Sequence, residues 1–374
     1  MTILDEFIEL VGISSPTGDE RQMADALKRK LTDIGCQVHE DDAGKNLGGT
    51  AGNVIGKLKG TGGKPVLFSS HMDRVPNGDG IVCRFLEDRI TSDGTTILAA
   101  DDVSGIVAIL DGLRRAVRSG NPHGDVEIVF TVNEERLAQG GKNLDYSRIS
   151  ARNGYCFDSP GHLGRIIHAA PYKVQFFVDI FGKKAHAGNE PEAGVNAVIY
   201  ASKCLHDIVD GRIDEQTTAN WAIIQAGNMD DREQVVTNVV CDHVQLCGEA
   251  RSRSKDRLYE YISYVEEHFR AALENTPATC SITVKDCFDG FCVSPEDRTI
   301  SVLVKELESM GIQPRIEGGG GGMDANHYNA HGISCVGVAT GYFFNHSNKE
   351  ELFIEDLIRS GELVEKLILA YSEA

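Results

Sequence analysis

Short apolar runs, each bounded by polar residues, punctuate the chain and set its predicted architecture. Val66, Leu67 and Phe68 form one such run, which suits a strand covered on both faces. Residues 97–100, 126–132 and 155–157 are three more. Between them lie segments with helical periodicity. Ile3, Phe7, Leu10 and Val11 predict an opening helix. Met23, Leu27, Leu31 and Ile34 predict a second, with Thr17 and Glu20 as its capping box and Gly35 as its stop. Val107, Ile109, Leu110 and Leu113 predict a third, after residues 97–100. Buried strands alternating with helices imply a mostly parallel sheet covered by helices.

From Lys173 the pattern changes. Strands are predicted at 173–181, 221–227, 244–250 and 279–284, with helices at 195–208 and 257–273. The order β-α-β-β-α-β is that of a ferredoxin-like unit. The α/β pattern then resumes with a helix at 299–310, a glycine run at 318–322, a strand at 334–338 and a closing helix from Ile354. The expected fold class is therefore α/β. A catalytic domain formed by residues 1–170 and 289–374 is interrupted by a smaller ferredoxin-like α+β domain at 171–288.

Composition narrows the function. Lys and Arg total 37 against 56 Asp and Glu, a net charge of −19, which argues against nucleic-acid and anionic-membrane partners. The ten cysteines form neither a C-x-x-C pair nor a disulfide framework. The opening MTILDEFIEL carries acids where a secretion signal carries positive charge, and no apolar run approaches a membrane span. These features predict a soluble cytoplasmic protein.

The predicted strands share one property: each ends in groups able to hold a cation. The first runs into His71-Met72-Asp73, the second into Asp101-Asp102, the third into Asn133-Glu134-Glu135 and the fourth into Asp158. Residues i and i+2 of an extended chain point the same way, so Asp73 is placed to fix the tautomer of His71. Open α/β sheets bind ligands at the carboxyl ends of their strands. With His346, the collected groups are His71, Asp101, Glu134, Glu135, Asp158 and His346. Five of them satisfy two divalent ions if one aspartate is shared. Mixed imidazole and carboxylate ligation suits zinc, and also manganese or cobalt. The sixth, a glutamate beside a ligand, is then free to act as general base. Two adjacent metals activating water beside a polarised carbonyl is the two-metal route to hydrolysis.

The segments SSHMDRVP, LAADDVSG, TVNEER, CFDSPG, GKKAHAGNEPEAGVNA, GGGMDANHYNAHGI and NHSNKEE resemble those of the M20 metallopeptidases, particularly the peptidase T-like (tripeptide aminopeptidase) branch. The resemblance runs from about Ile13 to Glu351. It implies a catalytic α/β domain interrupted by a ferredoxin-like lid and dimerisation domain, with a cis peptide just after the bridging aspartate. It assigns His71 and Asp158 to one ion, Glu135 and His346 to the other, and Asp101 to both. Glu134 becomes the base and Asp73 the residue that orients His71. His186 matches a histidine that reaches across a homodimer to the scissile carbonyl. Asn238 and Arg251 match positions that hold the substrate's backbone or carboxylate, and Gly320 belongs to a loop that approaches the substrate.

The chain departs from that pattern in three places. Gly320 stands where peptidase T has an arginine, Cys241 where the family has proline, and Val103 where the loop after the bridging aspartate often has lysine. The implied activity is release of the N-terminal residue of a short peptide by a metal-bridging hydroxide. The alternative is an M20 amidohydrolase or dipeptidase acting on an N-acyl amino acid or a dipeptide. An aminopeptidase needs the substrate's amine free; a deacylase needs it blocked. A metal-binding scaffold without catalysis gives Glu134 no reason to accompany five ligands. A nucleotide-dependent enzyme lacks its glycine-rich motif.

Overall fold

The computed structural model describes residues 2–227 and 235–372. The chain divides into two compact units, one of residues 1–170 and 291–374 and the other of residues 171–290.

The first unit is built on a sheet whose strands run in the order Gln37–Glu40, Val54–Leu58, Val126–Thr131, Val66–His71, Asn153–Ser159, Ser334–Ala339, Arg165–Ala170 and Phe291–Cys292, with Arg315–Gly318 also on Arg165–Ala170. Its centre is parallel, from Val126–Thr131 through Val66–His71 and Asn153–Ser159 to Ser334–Ala339. The strands outside this block pair with it antiparallel. Every residue of Val66–His71 is buried, which explains why its sequence does not alternate. Val66, Leu67 and Phe68 have no exposed surface, and each contributes roughly 1.5–3 kcal/mol by leaving water.

The Ala100–Ser119 helix buries Ile106, Val107, Ile109, Leu110 and Leu113 and packs on the closing helix Ile354–Ala370. The two can approach because residue 112 is glycine: a Cβ there would lie 2.4 Å from the Val364 side chain.

Two local expectations are corrected. Residues 97–100 are not a strand of the sheet: Ala100 opens the helix, and Ile97 to Ala99 form a connector. Their backbone donors are satisfied by a side chain instead of a ladder, because the Glu350 carboxylate accepts N–H groups from Leu98, Ala99 and Asp101 at 2.8–2.9 Å. Thr17 and Glu20 do not form a capping box, and the Arg21–Ile34 helix starts without a side-chain cap. The Thr17 hydroxyl donates to Asp73 instead, and Glu20 accepts N–H groups from Gly18 and Asn133. Gly35 does end that helix, at φ +104°.

The second unit is a five-stranded antiparallel sheet. Its long strands are Tyr172–Phe181, Thr217–Ala226, His243–Ser252 and Thr279–Phe288, and the order in space is second, third, first, fourth. That is the ferredoxin-like arrangement, with helices Ala197–Leu205 and Lys255–Leu273. Val174, Phe176, Val178 and Ile180 are buried among the helices' apolar residues, while Phe177 and Phe181 of the same strand are exposed.

Candidate metal centre

Three parallel strands of the first unit end side by side, and their carboxyl ends deliver most of the site. Val66–His71 supplies His71, Asn153–Ser159 supplies Asp158, and the segment after Val126–Thr131 supplies Glu134 and Glu135. Asp101 comes from the first turn of the Ala100–Ser119 helix, preceded by Ala99 at φ +58° and followed by a cis peptide to Asp102. His346 also has a left-handed backbone, φ +61°.

Asp101 joins the two histidines. Its Oδ1 lies 3.0 Å from His71 Nε2, and its Oδ2 lies 3.2 Å from His346 Nε2. His346 Nε2 is also 3.0 Å from Glu135 Oε1, and His71 Nε2 is 3.8 Å from Asp158 Oδ1. The Asn345 amide and the Tyr342 hydroxyl donate to Asp101 Oδ2 (2.7 Å) and Asp158 Oδ1 (3.2 Å). The structure thus brings together His71, Asp101, Glu135, Asp158 and His346.

Asp73 braces the site from behind. His71 Nδ1 is 2.9 Å from the Asp73 carbonyl oxygen and 3.5 Å from its Oδ1. The Asp73 carboxylate accepts the backbone N–H groups of Glu134 (2.9 Å) and Glu135 (3.2 Å) and the Thr17 hydroxyl (2.8 Å). One buried residue therefore meets the imidazole chiefly through its backbone carbonyl and holds the loop that carries two glutamates through its carboxylate.

The electrostatics show the kind of group this cluster suits. Burial, then the charge of Asp158, pushes Glu134 well above the usual carboxylate range. Burial likewise raises Asp158 and Glu135. Burial works against protonation of His71, yet its bonds to Asp101 and Asp73 outweigh that and raise it. Asp101 and Glu135 hold His346 up at about 10. Asp101 is the exception: burial is outweighed by the two imidazoles, and its carboxyl is held low. Four carboxylates face two imidazoles, so ionising all four would leave negative charge in excess even with both rings protonated, which, added to burial, is why three of them are raised. Buried charge of one sign is costly unless cations offset it.

The donor geometry fits divalent ions too. With Nδ1–H of His71 given to the Asp73 carbonyl, Nε2 of a neutral ring turns its lone pair toward two carboxylates, an arrangement that calls for a cation between them. Glu135 Oε1 is buried without a hydrogen bond. Among the described residues, His71, Asp101 and Glu135 form one group able to hold an ion, and His71, Asp102 and Asp158 form another. Asp102 is the less suited bridge. Its Oδ2 accepts the Ser70 hydroxyl and the His71 N–H (3.2 Å), whereas Asp101 touches both imidazoles.

Several participants carry no sequence signal of their own. Glu350 fixes the backbone of Asp101 from within the NHSNKEE segment. Asp324, in MDAN, is buried and bonded to the Thr131 hydroxyl.

The remaining sequence candidates are placed as follows. Gly320 is exposed, and a side chain there would meet nothing within 4 Å. In the second unit, His186 is exposed, and its Nδ1 accepts the N–H groups of Gly188 and Asn189 at 3.1 Å. Asn238 is also exposed, and its carbonyl accepts the Ala187 N–H at 2.8 Å. Arg251 is partly buried, with Nε 2.8 Å from Glu249 Oε1.

Known proteins share this architecture. Residues 67–370 match the model of peptidase family M20/M25/M40. An uncharacterised Bacillus subtilis protein, YqjE, is 37% identical over 98% of this chain and 97% of its own length. The crystal structure of the aminopeptidase PepT from Bacillus cereus superposes with a TM-score of 0.90 at 37% identity, covering 99% of this chain and 98% of that one. A Staphylococcus aureus tripeptidase superposes at 0.92 with 30% identity and the same coverage. The family match and these relatives together show that the chain belongs to peptidase family M20/M25/M40.

Proposed function

We propose that this M20 peptidase is a dinuclear, zinc-dependent aminopeptidase that releases the N-terminal residue of short peptides. The observation that carries the reading is the double contact of Asp101, one carboxylate oxygen toward each histidine. The names of its relatives agree, an aminopeptidase in Bacillus cereus and a tripeptidase in Staphylococcus aureus. His71 and Asp158 would hold one ion, Glu135 and His346 the other, with Asp101 shared; manganese or cobalt would fit the same donors. Such ions supply an acidified water and a polarised scissile carbonyl.

Glu134 takes a proton from the attacking water and hands it to the leaving amine. Desolvation and the charge of Asp158 push its carboxyl well above the usual carboxylate range, which suits a base that must also release what it takes. Asp73 holds Glu134 and His71 in place for this. Because His186 Nδ1 accepts two backbone N–H groups, a neutral ring carries its proton on Nε2, where it can donate to the scissile carbonyl oxygen. We assign that role in trans, within a homodimer formed through the ferredoxin-like unit. Asn238 and Arg251 would hold the peptide's backbone and carboxylate. At Gly320 the absence of the arginine found in peptidase T leaves open space, so substrates other than tripeptides would fit. Ten free thiols suit a reducing, cytoplasmic setting.

The test is to incubate the zinc, manganese and cobalt forms with di-, tri- and tetrapeptides, free and N-acetylated, and to identify products by mass spectrometry. Loss of the N-terminal residue from free peptides alone is the expected result. Cleavage of the acetylated set alone would replace this reading with an N-acyl amidohydrolase.

A further inference from the structure

The first unit has a cavity at the edge of its sheet that carries the candidate metal centre, of about 340 Å3 and lined by Pro160, Gly161, His162, Arg165, Arg315, Glu317 and Phe343. Its position follows from register. Ser159, next to Asp158, pairs with Ala339; Val338 pairs with Ile166; and Arg165 pairs with Arg315. Because Arg165–Ala170 runs antiparallel to Ser334–Ala339, the amino ends of Arg165–Ala170 and Arg315–Gly318 lie level with the carboxyl ends that hold the site. At about 4.8 Å per strand, Arg165 is about 10 Å and Arg315 about 14 Å across the sheet from Asp158. An extended peptide spans about 3.4 Å per residue, so about three to four residues cover that distance.

The charges there are unusual for a chain with net charge −19. Arg165 and Arg315 are direct partners on neighbouring parallel strands, so their side chains leave the same face, and like charges so placed repel. Glu317 offsets only one of them: its Oε2 is 3.0 Å from Arg165 Nε, while Arg165 Nη1 donates to the Pro160 carbonyl at 2.7 Å. The Arg315 backbone N–H donates to the Gly164 carbonyl at 2.8 Å, while its guanidinium makes no hydrogen bond or ion pair among the described residues. His162 is paired with Asp356 at 2.6 Å and stands edge-on to Phe343, whose ring centroid is 4.9 Å away. The cavity therefore joins a fixed aromatic wall to one unmatched guanidinium.

We propose that this cavity is a subsite for a carboxylate carried by the peptide substrate, with Arg315 as its binding group. The inference rests on the aminopeptidase reading for its substrate class, and the carboxylate can be an acidic side chain, additional to the group assigned to Arg251, or the C-terminal one, which Arg315 would then hold in place of Arg251. A planar guanidinium pairs with either.

The experiment compares the metal-loaded enzyme with Arg315→Ala and Arg315→Glu on matched tripeptides: neutral with a free C-terminus, the same amidated, and amidated with one glutamate or one lysine at each position. Each peptide is supplied with a free and with an acetylated N-terminus. The wild-type protein is expected to favour carboxylate-bearing peptides over amidated neutral ones by tenfold or more in kcat/KM. Arg315→Ala should cut that ratio about tenfold, chiefly through KM, and Arg315→Glu should turn it toward lysine-bearing peptides, both with unchanged metal content. Loss confined to the free C-terminus set identifies the α-carboxylate as the ligand; loss confined to the glutamate set identifies a side chain. A wild-type ratio near one, or a ratio unchanged in both variants, overturns the subsite. If only acetylated peptides are cleaved, the aminopeptidase reading falls, and the ratio is read on the acetylated set.

Discussion

Asp73 Oδ1 accepts the backbone N–H of Glu134 at 2.9 Å, so the residue whose carbonyl orients His71 also fixes the loop carrying the proposed base. Its second oxygen accepts the Glu135 N–H and the Thr17 hydroxyl. Asp73→Asn would turn an NH2 group toward a donor it cannot satisfy. A buried mismatch of this kind costs about 1–3 kcal/mol, and loss of such support weakens metal binding about 10–100-fold. Thermal unfolding and metal titration of the variant measure both. Unchanged metal affinity would remove Asp73 from the supporting role.

Glu134→Gln and Glu135→Gln should fail differently although the residues are adjacent. The first should keep both ions and lose kcat by 100-fold or more with little change in KM, because a base acts mainly in the transition state. The second should lose occupancy of one ion, since Glu135 Oε1 sits 3.0 Å from His346 Nε2. Elemental analysis beside steady-state kinetics separates them, and the reverse pattern would exchange the two roles.

Glu350→Ala should destabilise the first unit by about 3 kcal/mol or more, because it strands three backbone donors, those of Leu98, Ala99 and Asp101, at a buried position. Glu350→Gln keeps an acceptor and should cost less. Urea unfolding gives both values, and equal stability of the alanine variant would contradict the connector's dependence on this side chain.

Acid sensitivity has an assignable contributor. Bonds to Arg21 and Lys28 and the Gly52 N–H hold Glu40 down at about 2, below the ordinary value near 4.3. A carboxyl lowered on folding adds stability above its unfolded pKa and loses it as pH falls through its folded one. Glu40→Gln should therefore flatten the loss of stability between about pH 5 and pH 2 while leaving the slope near pH 8 unchanged. Denaturation midpoints across that range check it. Parallel profiles for the two proteins would show that this cluster does not carry the effect.

The candidate site's residues were legible because apolar runs mark buried strands and polar residues at their carboxyl ends stand out against them. His71, Glu134, Glu135 and Asp158 all follow that rule. Residues 97–100 obey the same pattern yet form no strand, because their donors go to Glu350, about 250 positions away and without a periodic signal. Thr17 and Glu20 have the spacing of a cap, but both are drawn to Asp73 and Asn133. The loop they serve contains left-handed backbone at Leu137 and Ala138, which no propensity predicts. Long-range polar contacts, unlike hydrophobic period, leave no local trace.

The account stands on two cations sharing Asp101, and counting them is the most direct test. Native mass spectrometry of the protein stripped with chelator and reloaded with zinc should show two ions per chain, with Asp101→Ala unable to hold the pair. A single ion per chain at saturating zinc would contradict the dinuclear centre.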